Sequence, residues 1–307
     1  MCYRYPRMEK TNGRIVLFGG GGFVGGNLAR AALAQGREAH IVDPVQRPGV
    51  PGAVWHVTDI TDPAAVKQLL AELMPQAVVD LAAIADIDKA ERERDLAWAV
   101  NVDAARTIAA GCAGIGAAFL YFSSDAVFDG RGSRYAEGDP LNPVNYYGKT
   151  KAEGEKAVAA AYPGAGIIRI SLALGFPVTG GNSFFAALEQ GLKAGKEITA
   201  PSDEVRTPVD VHTLSACVLE LLALRFAGII HIGSTDSIDR AALTRKAAAL
   251  LGYPEARIVA APIGAPPAGR APRHKNGIIS VEKARGLLRT PLLSAGESIR
   301  RAITERS

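Results

Sequence analysis

In the stretch NYYGKTKAEGE, Tyr147 and Lys151 stand four residues apart and share one face of any helix that carries them. A phenol works as an acid or base only where its ionised form is stabilised, since its free pKa is about 10. An ammonium about 5 Å away, at an effective dielectric of about 20, contributes roughly 3 kcal/mol and lowers that pKa by about two. Eight tyrosines and eleven lysines in 307 residues produce about 0.3 such pairs by chance, so position has to decide. FLYFSSDAVFDG ends a strand-like run on Ser123 and Ser124, the latter 23 residues before Tyr147. A hydroxyl there can hold the carbonyl oxygen that Tyr147 protonates; it can also cap a turn. Tyr146 falls on a different helix face, which suits packing.

A second group lies in RIVLFGGGGFVGGNLARAALAQG, residues 14–36. Gly20, Gly22 and Gly25 spell G-x-G-x-x-G, while Gly19, Gly22 and Gly25 spell G-x-x-G-x-x-G. Either register follows a strand-like run and opens a helix, where unpaired N–H groups and a partial positive charge meet a pyrophosphate. Glycine lets the backbone turn and approach phosphates with no Cβ in the way. Asp43 ends the next strand-like run, 18 residues after Gly25. A carboxylate there hydrogen-bonds a ribose 2′-hydroxyl and repels a 2′-phosphate. NAD is therefore favoured, while Arg47 nearby leaves NADP open.

These groups need a scaffold that alternates strands and helices. RIVLF, EAHIV, AVVDLAA, AFLYFSS and GIIRIS read as strands. Residues 23–35, AAVKQLLAEL, LAWAVNVDAARTIAAGCAG and YYGKTKAEGEKAVAAA read as helices. The alternation implies βαβ units, hence an α/β fold with a Rossmann-type, doubly wound parallel sheet. Beyond about residue 172 the loops lengthen, with Gly and Pro at 175–181 and 261–272, and GIIHIG at 228–233 reads as a strand returning to the sheet. The expected division is a dinucleotide-binding domain over 14–172 plus about 207–234, and a smaller substrate-binding cap over about 173–206 and 235–307. Residues 1–13 read as a disordered leader in which Met8 is a candidate start.

Composition narrows the class. Hydrophobic residues at 48% and charged residues at 21% suit a globular enzyme, and the net charge of +4 is spread with no basic block for nucleic acid. Three scattered cysteines, Cys2, Cys112 and Cys217, fit a reducing cytoplasm rather than a disulfide framework. The N-terminus lacks a signal-peptide core, and the most apolar later stretch, 213–232, is broken by Glu220 and Arg225, so no membrane span is expected. The histidines at 40, 56, 212, 231 and 274 show no ligand spacing; no metal is expected, and His231 reads as a strand residue.

Further motifs join these in order: DITD at 59–62, LAAIADIDKAE at 81–91, NV at 101–102, SSDAVFDG at 123–130, PVNYYGKTKAEGE at 143–155, DEVRTP at 203–208 and RHKNGIIS at 273–280. Over nearly the whole chain the series resembles the extended short-chain dehydrogenase/reductases, and most closely the dTDP-4-dehydrorhamnose reductases and their sugar-nucleotide relatives. The resemblance implies the Gly19 register, with Gly20 and Gly21 filling variable places. It implies cofactor contacts from Gly19, Gly22, Phe23, Val24, Gly25 and Asp43, from Asp59 and Ile60 at the adenine, and from Leu81, Ala82 and Ala83 along the phosphates and ribose. Tyr147 becomes the general acid, Lys151 its pKa modifier and nicotinamide-ribose ligand, and Ser124 the carbonyl binder. Ser124, Asp125 and Ala126 would meet the substrate, together with Asn182 and Arg206 of the cap, although those two read equally well as a turn residue and a loop salt bridge. The implied reaction passes hydride from nicotinamide C4 to the carbonyl carbon of a keto-sugar nucleotide while Tyr147 protonates the oxygen. The family also suggests a homodimer.

The chain departs from the reductases in three places. Ala126 stands where they carry Tyr, Arg273-His274 where an Arg-Pro pair is common, and Ser280 where Asp is frequent. Ala126 also lacks the carboxylate that the related 4,6-dehydratases need, which argues against dehydration. Two alternatives stay open: a 4-epimerase that retains its NAD, and a non-catalytic regulatory subunit like the family's partner of methionine adenosyltransferase.

Overall fold

The computed structural model describes residues 13–47, 49–180, 182–264 and 270–306. Cys2, Met8 and the rest of residues 1–12 of the expected leader lie outside the described residues, as do 265–269 of the long Gly/Pro loop. The chain runs through β1 (Arg14–Phe18), β2 (Glu38–Asp43), β3 (Val54–Val57), β4 (Ala77–Asp80), β5 (Ala118–Ser124) and β6 (Gly166–Ile170). Short strands follow: β7 (Leu172–Leu174), β8 (Ile198–Pro201), β9 (Val205–Arg206) and β10 (Pro208–Asp210). Then come β11 (Gly228–Ile232), β12 (Ile238–Asp239), β13 (Ile258–Ala261) and β14 (Asn276–Gly277). The helices are α1 (Phe23–Ala34), α2 (Pro63–Leu73), α3 (Ile87–Arg92), α4 (Arg94–Trp98), α5 (Ala105–Ile115), α6 (Tyr146–Ala161), α7 (Phe184–Lys193), α8 (Val211–Ala223), α9 (Arg240–Leu250), α10 (Glu282–Leu287) and α11 (Ala295–Thr304).

Seven strands form one sheet in the order β11-β6-β5-β4-β1-β2-β3, every neighbouring pair parallel. The order reverses at β1: the chain moves outward through β2 and β3, then crosses back to β4 on the other side. A crevice at the carboxyl ends of the strands opens at such a reversal. The late strand β11 pairs with β6, as its sequence suggested. β3 was not singled out in the sequence: VWHV is short, exposed at both ends and an edge strand, so neither alternation nor a buried apolar run marks it. AVVDLAA ends as a strand at Asp80, and Leu81–Ala83 form the loop beyond it.

Because βαβ crossovers put helices on both faces, β1 is apolar on both sides. Ile15 and Leu17 pack with Leu28 of α1 and Leu214 and Val218 of α8, while Val16 and Phe18 pack with Leu70 of α2 and Ile108 of α5. A further cluster gathers Phe185 and Leu188 of α7, Leu243 and Ala247 of α9, and Ile299 and Ile303 of α11. The helical run expected over 96–114 exists, but a π-helical turn over Ala99–Ala104 interrupts it. That turn carries Asn101 fully buried, its carbonyl accepting from the Tyr121 hydroxyl (3.1 Å). Among the described residues no helix is long and apolar enough to cross a membrane.

One buried ion pair ties α6 to the sheet. Glu155 accepts two bonds from Arg169 of β6 (2.8 and 2.7 Å) and another from Ser123 of β5, with both charged residues at most 3% exposed. Removing one partner of such a pair strands the other charge, which costs about 3–5 kcal/mol. Glu155→Ala should lower the unfolding free energy by about that amount in urea denaturation. A loss under about 1 kcal/mol would show that water reaches Arg169 and that the pair is not a core element.

Candidate active site

The carboxyl ends of β1 to β5 bring the expected cofactor residues to one edge. Gly19 follows β1 with φ +73, its N–H donating to the Val42 carbonyl (2.8 Å). A Cβ on Gly19 would sit 2.6 Å from the Ala82 nitrogen, and one on Gly25 would sit 2.6 Å from the Gly19 oxygen. Left-handed backbone and backbone-to-backbone approach are both demands that only glycine meets. Gly22 caps α1 without any side-chain hydrogen bond, so the first-turn N–H groups of Phe23, Val24 and Gly25 keep the open donors of a helix start. This cradle fits a dinucleotide pyrophosphate. Gly20 and Gly21 are not free fillers, however: a Cβ on Gly20 would lie 2.8 Å from the Leu17 oxygen, and one on Gly21 2.8 Å from the Asp43 carboxylate. That second contact places Asp43 against the glycine loop, where a ribose hydroxyl would follow a pyrophosphate.

The remaining cofactor candidates are distributed around this loop. Asp59 is exposed after β3, and the Thr61 hydroxyl and N–H it accepts (2.7 and 2.9 Å) hold its carboxyl below the ordinary range. Ile60 is buried in the core beside Val42 and Val66. Leu81, Ala82 and Ala83 are half-buried on a pinned backbone: Leu81 N–H donates to the Phe18 carbonyl (2.9 Å), and Ala82 N–H to Asp80 (3.0 Å). Thr179, unremarked in the sequence, donates to the Gly21 carbonyl (2.8 Å) and clamps the glycine loop from a segment 158 residues away. Asn182 lies exposed just beyond it.

α6 brings Tyr147 to Ser124. Asn145 caps the helix by accepting from Gly148 N–H (2.8 Å), and a Cβ on Gly148 would lie 2.1 Å from the Ala126 carbonyl. Glycine there lets the first turn of α6 lie directly on the turn after β5. Ser124 lies within reach of the Tyr147 phenol; its hydroxyl donates to Asp125 Oδ1 (3.0 Å) and accepts from Ala126 N–H (3.2 Å), so the same side chain also caps the Asp125–Val127 turn. Tyr146 takes the other helix face, where the Arg94 guanidinium lies 5.0 Å from its ring centroid. Asn101, not assigned a role from sequence, joins α6 to the β4 loop by donating to Thr150 (2.8 Å) and accepting from Ile84 N–H (2.8 Å).

Electrostatics revise one expectation. Burial pushes the Tyr147 phenol up to about 12, the Ser124 bond opposes this, and the Asp125 charge adds to the rise. The lowering expected from Lys151 is not met. Lys151 is buried, 4.0 Å from the Tyr121 ring centroid, and burial pushes its ammonium down while Asp80 and Glu155 pull it back up. Asp80 is itself buried, pushed up by desolvation and restrained by Lys151. Lys151 is not among the groups that shift Tyr147, whose phenol stays protonated at neutral pH and has a proton to give.

Arg206 is also placed differently from the substrate contact expected of it. Its guanidinium donates to the carbonyls of Val205 (2.8 Å), Lys275 (2.9 Å) and His274 (3.1 Å), pairs with Glu204 (2.9 Å), and lies 3.4 Å from Asp125. At 6% exposure its N–H groups are engaged by these protein partners. Asp125, 2% exposed, further accepts from Ser171 (2.9 Å) and His274 (3.1 Å). Ala126 is buried at 2%, beneath the start of α6. His231 is a buried residue of β11, its titration pushed down to about 3 by burial and Arg169.

Fold and site together define a Rossmann-type dinucleotide-binding protein with a glycine cradle after β1, Ser124 at the end of β5, and Tyr147 and Lys151 on α6. The chain belongs to the RmlD substrate binding domain family, whose model matches residues 13–307. It is 31% identical to the dTDP-4-dehydrorhamnose reductase of Mycolicibacterium smegmatis, over 98% of this chain and 88% of that protein. It is 30% identical to methionine adenosyltransferase 2 subunit beta of Xenopus tropicalis, over 72% of this chain and 74% of that one. Among solved structures, the Bacillus anthracis dTDP-4-dehydrorhamnose reductase in complex with NADP superposes with a TM-score of 0.85 at 26% identity, covering 96% of this chain and all of that one.

Despite burial, His274, Arg206 and Ser171 hold the Asp125 carboxyl below its ordinary value. A carboxylate lower in the folded than in the unfolded state stabilises above its unfolded pKa of about 3.9, and that contribution is lost as pH falls through the folded value. The unfolding free energies of wild type and Asp125→Asn should therefore differ by a constant amount above about pH 5 and converge below about pH 4. Chemical denaturation across that range checks this, and a difference independent of pH would show that the folded protein leaves the Asp125 carboxyl at its unfolded pKa.

Proposed function

We propose that this chain is an NAD(P)H-dependent reductase of a 4-keto-6-deoxy sugar nucleotide, with NADH favoured. The observation that carries the reading is Ser124 at the carboxyl end of β5, with Tyr147 in the first turn of α6 packed on the turn that follows it, in the same sheet whose β1 ends in the glycine cradle. The names of the family's reductases supply the substrate class. A nicotinamide cofactor, when bound, supplies the hydride. Gly19, Gly22 and Gly25 with the start of α1 would hold its pyrophosphate, and Asp43 its adenosine ribose. Ser124 turns its hydroxyl to the substrate carbonyl oxygen, and Tyr147 donates its proton there as negative charge develops. Lys151, whose Nζ lies 4.0 Å from the ring centroid of Tyr121, is the candidate ribose ligand. Segments 173–206 and 235–307 would form the substrate-binding domain over 14–172 and 207–234, in a cytoplasmic enzyme that pairs as a homodimer.

The Xenopus relative's name supports a second reading, a binding subunit without turnover. Ser124, Tyr147 and Lys151 together argue against it, because assembly has no use for a buried acid beside a nucleotide cradle.

Titration with NADH and NADPH, followed by nicotinamide fluorescence, should show tighter NADH binding, and Asp43→Asn should narrow the preference about tenfold, the worth of one charge-assisted bond. Equal affinities in wild type would remove Asp43 from the ribose site. With dTDP-, UDP- and GDP-linked 4-keto sugars, Tyr147→Phe should cut kcat by about 10²–10⁴ and leave NADH affinity unchanged. Full turnover by that variant defeats the assignment of the acid. Two interconverting sugars with no net NADH consumption would make the protein an epimerase, and no turnover in wild type would favour the binding subunit.

A further inference from the structure

The reductase reading leaves His274 without a task, although it stands where an Arg-Pro pair is common and is only 5% exposed. It belongs to a strap, residues 270–277, drawn over the start of α6. Arg273 binds both oxygens of Asp88 (2.6 and 2.9 Å), Asn145 donates to the Pro272 carbonyl (2.9 Å), and Arg206 donates to the carbonyls of His274 and Lys275. A Cβ on Gly277 would fall 2.0 Å from Asp125 Oδ2, so the strap backbone is pressed against that carboxylate.

We propose that His274 is a positioning residue for the reduction: by engaging Asp125, it governs where the Ser124 proton points. This rests on the reductase reading. The imidazole Nε2 lies 3.1 Å from Asp125 Oδ2, and Nδ1, buried, meets no partner among the described residues. Since an ionised carboxylate only accepts, Nε2 carries the proton and donates it. The other oxygen, Oδ1, accepts the Ser124 hydroxyl at 3.0 Å. The two contacts compete for one negative charge. While His274 and Arg206 draw that charge toward Oδ2, Oδ1 holds the Ser124 proton less tightly, and the hydroxyl can swing to a carbonyl oxygen arriving beside Tyr147. Without His274, Asp125 keeps the proton, and Ser124 presents lone pairs to a carbonyl that needs a donor. Ser171 and Arg206 would still fix the carboxylate in place, so the loss falls on the chemical step rather than on binding.

The test measures kcat, KM and NADH affinity on a dTDP-linked 4-keto-6-deoxy sugar for wild type, His274→Leu, His274→Gln, Ser124→Ala and the Ser124→Ala/His274→Leu double variant. His274→Leu should lower kcat about tenfold, with KM and NADH affinity changed less than about threefold. His274→Gln, whose amide N–H can occupy the Nε2 position, should recover most of that loss. In the double variant kcat should equal that of Ser124→Ala alone, because His274 acts only through the hydroxyl. The proposal is overturned by full kcat in His274→Leu, by losses that multiply in the double variant, by a loss confined to KM or cofactor affinity, or by a glutamine variant as impaired as the leucine one. Absence of turnover in wild type is a separate result: it overturns the reductase reading, and this proposal with it.

Discussion

Asp125 is the point on which the arrangement of the site depends. Its carboxylate is buried at the end of β5, and charges or hydroxyls reach it from four separate stretches of chain: Ser124 beside it, Ser171 after β6, Arg206 in β9 and His274 in the strap. A lone buried carboxylate would cost several kcal/mol, so these partners cannot leave independently. Satisfying one charge therefore closes the C-terminal third of the chain onto the sheet, and places the strap, the start of α6 and the Ser124 hydroxyl in one fixed relation.

Around that centre, close backbone approach does what side-chain bonding does not. At Gly148 the first turn of α6 lies on the Ala126 carbonyl, at Gly154 the same helix lies on the Tyr121 hydroxyl and the Asn101 carbonyl, and at Gly25 α1 lies on the glycine loop. Each contact excludes even a methyl group, so each sets the depth at which a helix docks. Tyr147 reaches Ser124 because Gly148, its neighbour, has no side chain. The π-helical turn at Ala99–Ala104 serves the same geometry by burying Asn101 where it can link α6 to the loop after β4.

The balance of charge decides which form of the phenol the site holds. A tyrosine and lysine one helical turn apart suggest a phenol made more acidic, yet Lys151 lies over the Tyr121 ring, and the charges that act on it are those of Asp80 and Glu155. Burial and the Asp125 charge favour the protonated form of Tyr147, and Ser124 opposes them only in part. A protonated phenol has the proton that carbonyl reduction requires.

Much of this was legible in the sequence. Alternating strands and helices defined the parallel sheet, because burial on both faces writes near-continuous apolar runs such as RIVLF. The glycine loop and the Ser124/Tyr147/Lys151 spacing were also readable, since a strand–glycine–helix run and one-turn helical spacing are local properties, whereas the choice between the two glycine registers came only from the family resemblance. Long-range partners left no such mark. The edge strand β3, the Thr179 clamp, the Asn101 link and the binding of Arg206 into a buried network join residues tens to more than a hundred positions apart, and one chain's sequence does not record which distant charge a carboxylate will meet. The sequence thus determined which groups could do chemistry and roughly where the sheet would bring them. Only the tertiary structure decided their charge states, because a pKa depends on burial and on every neighbouring charge, and those neighbours are chosen by packing.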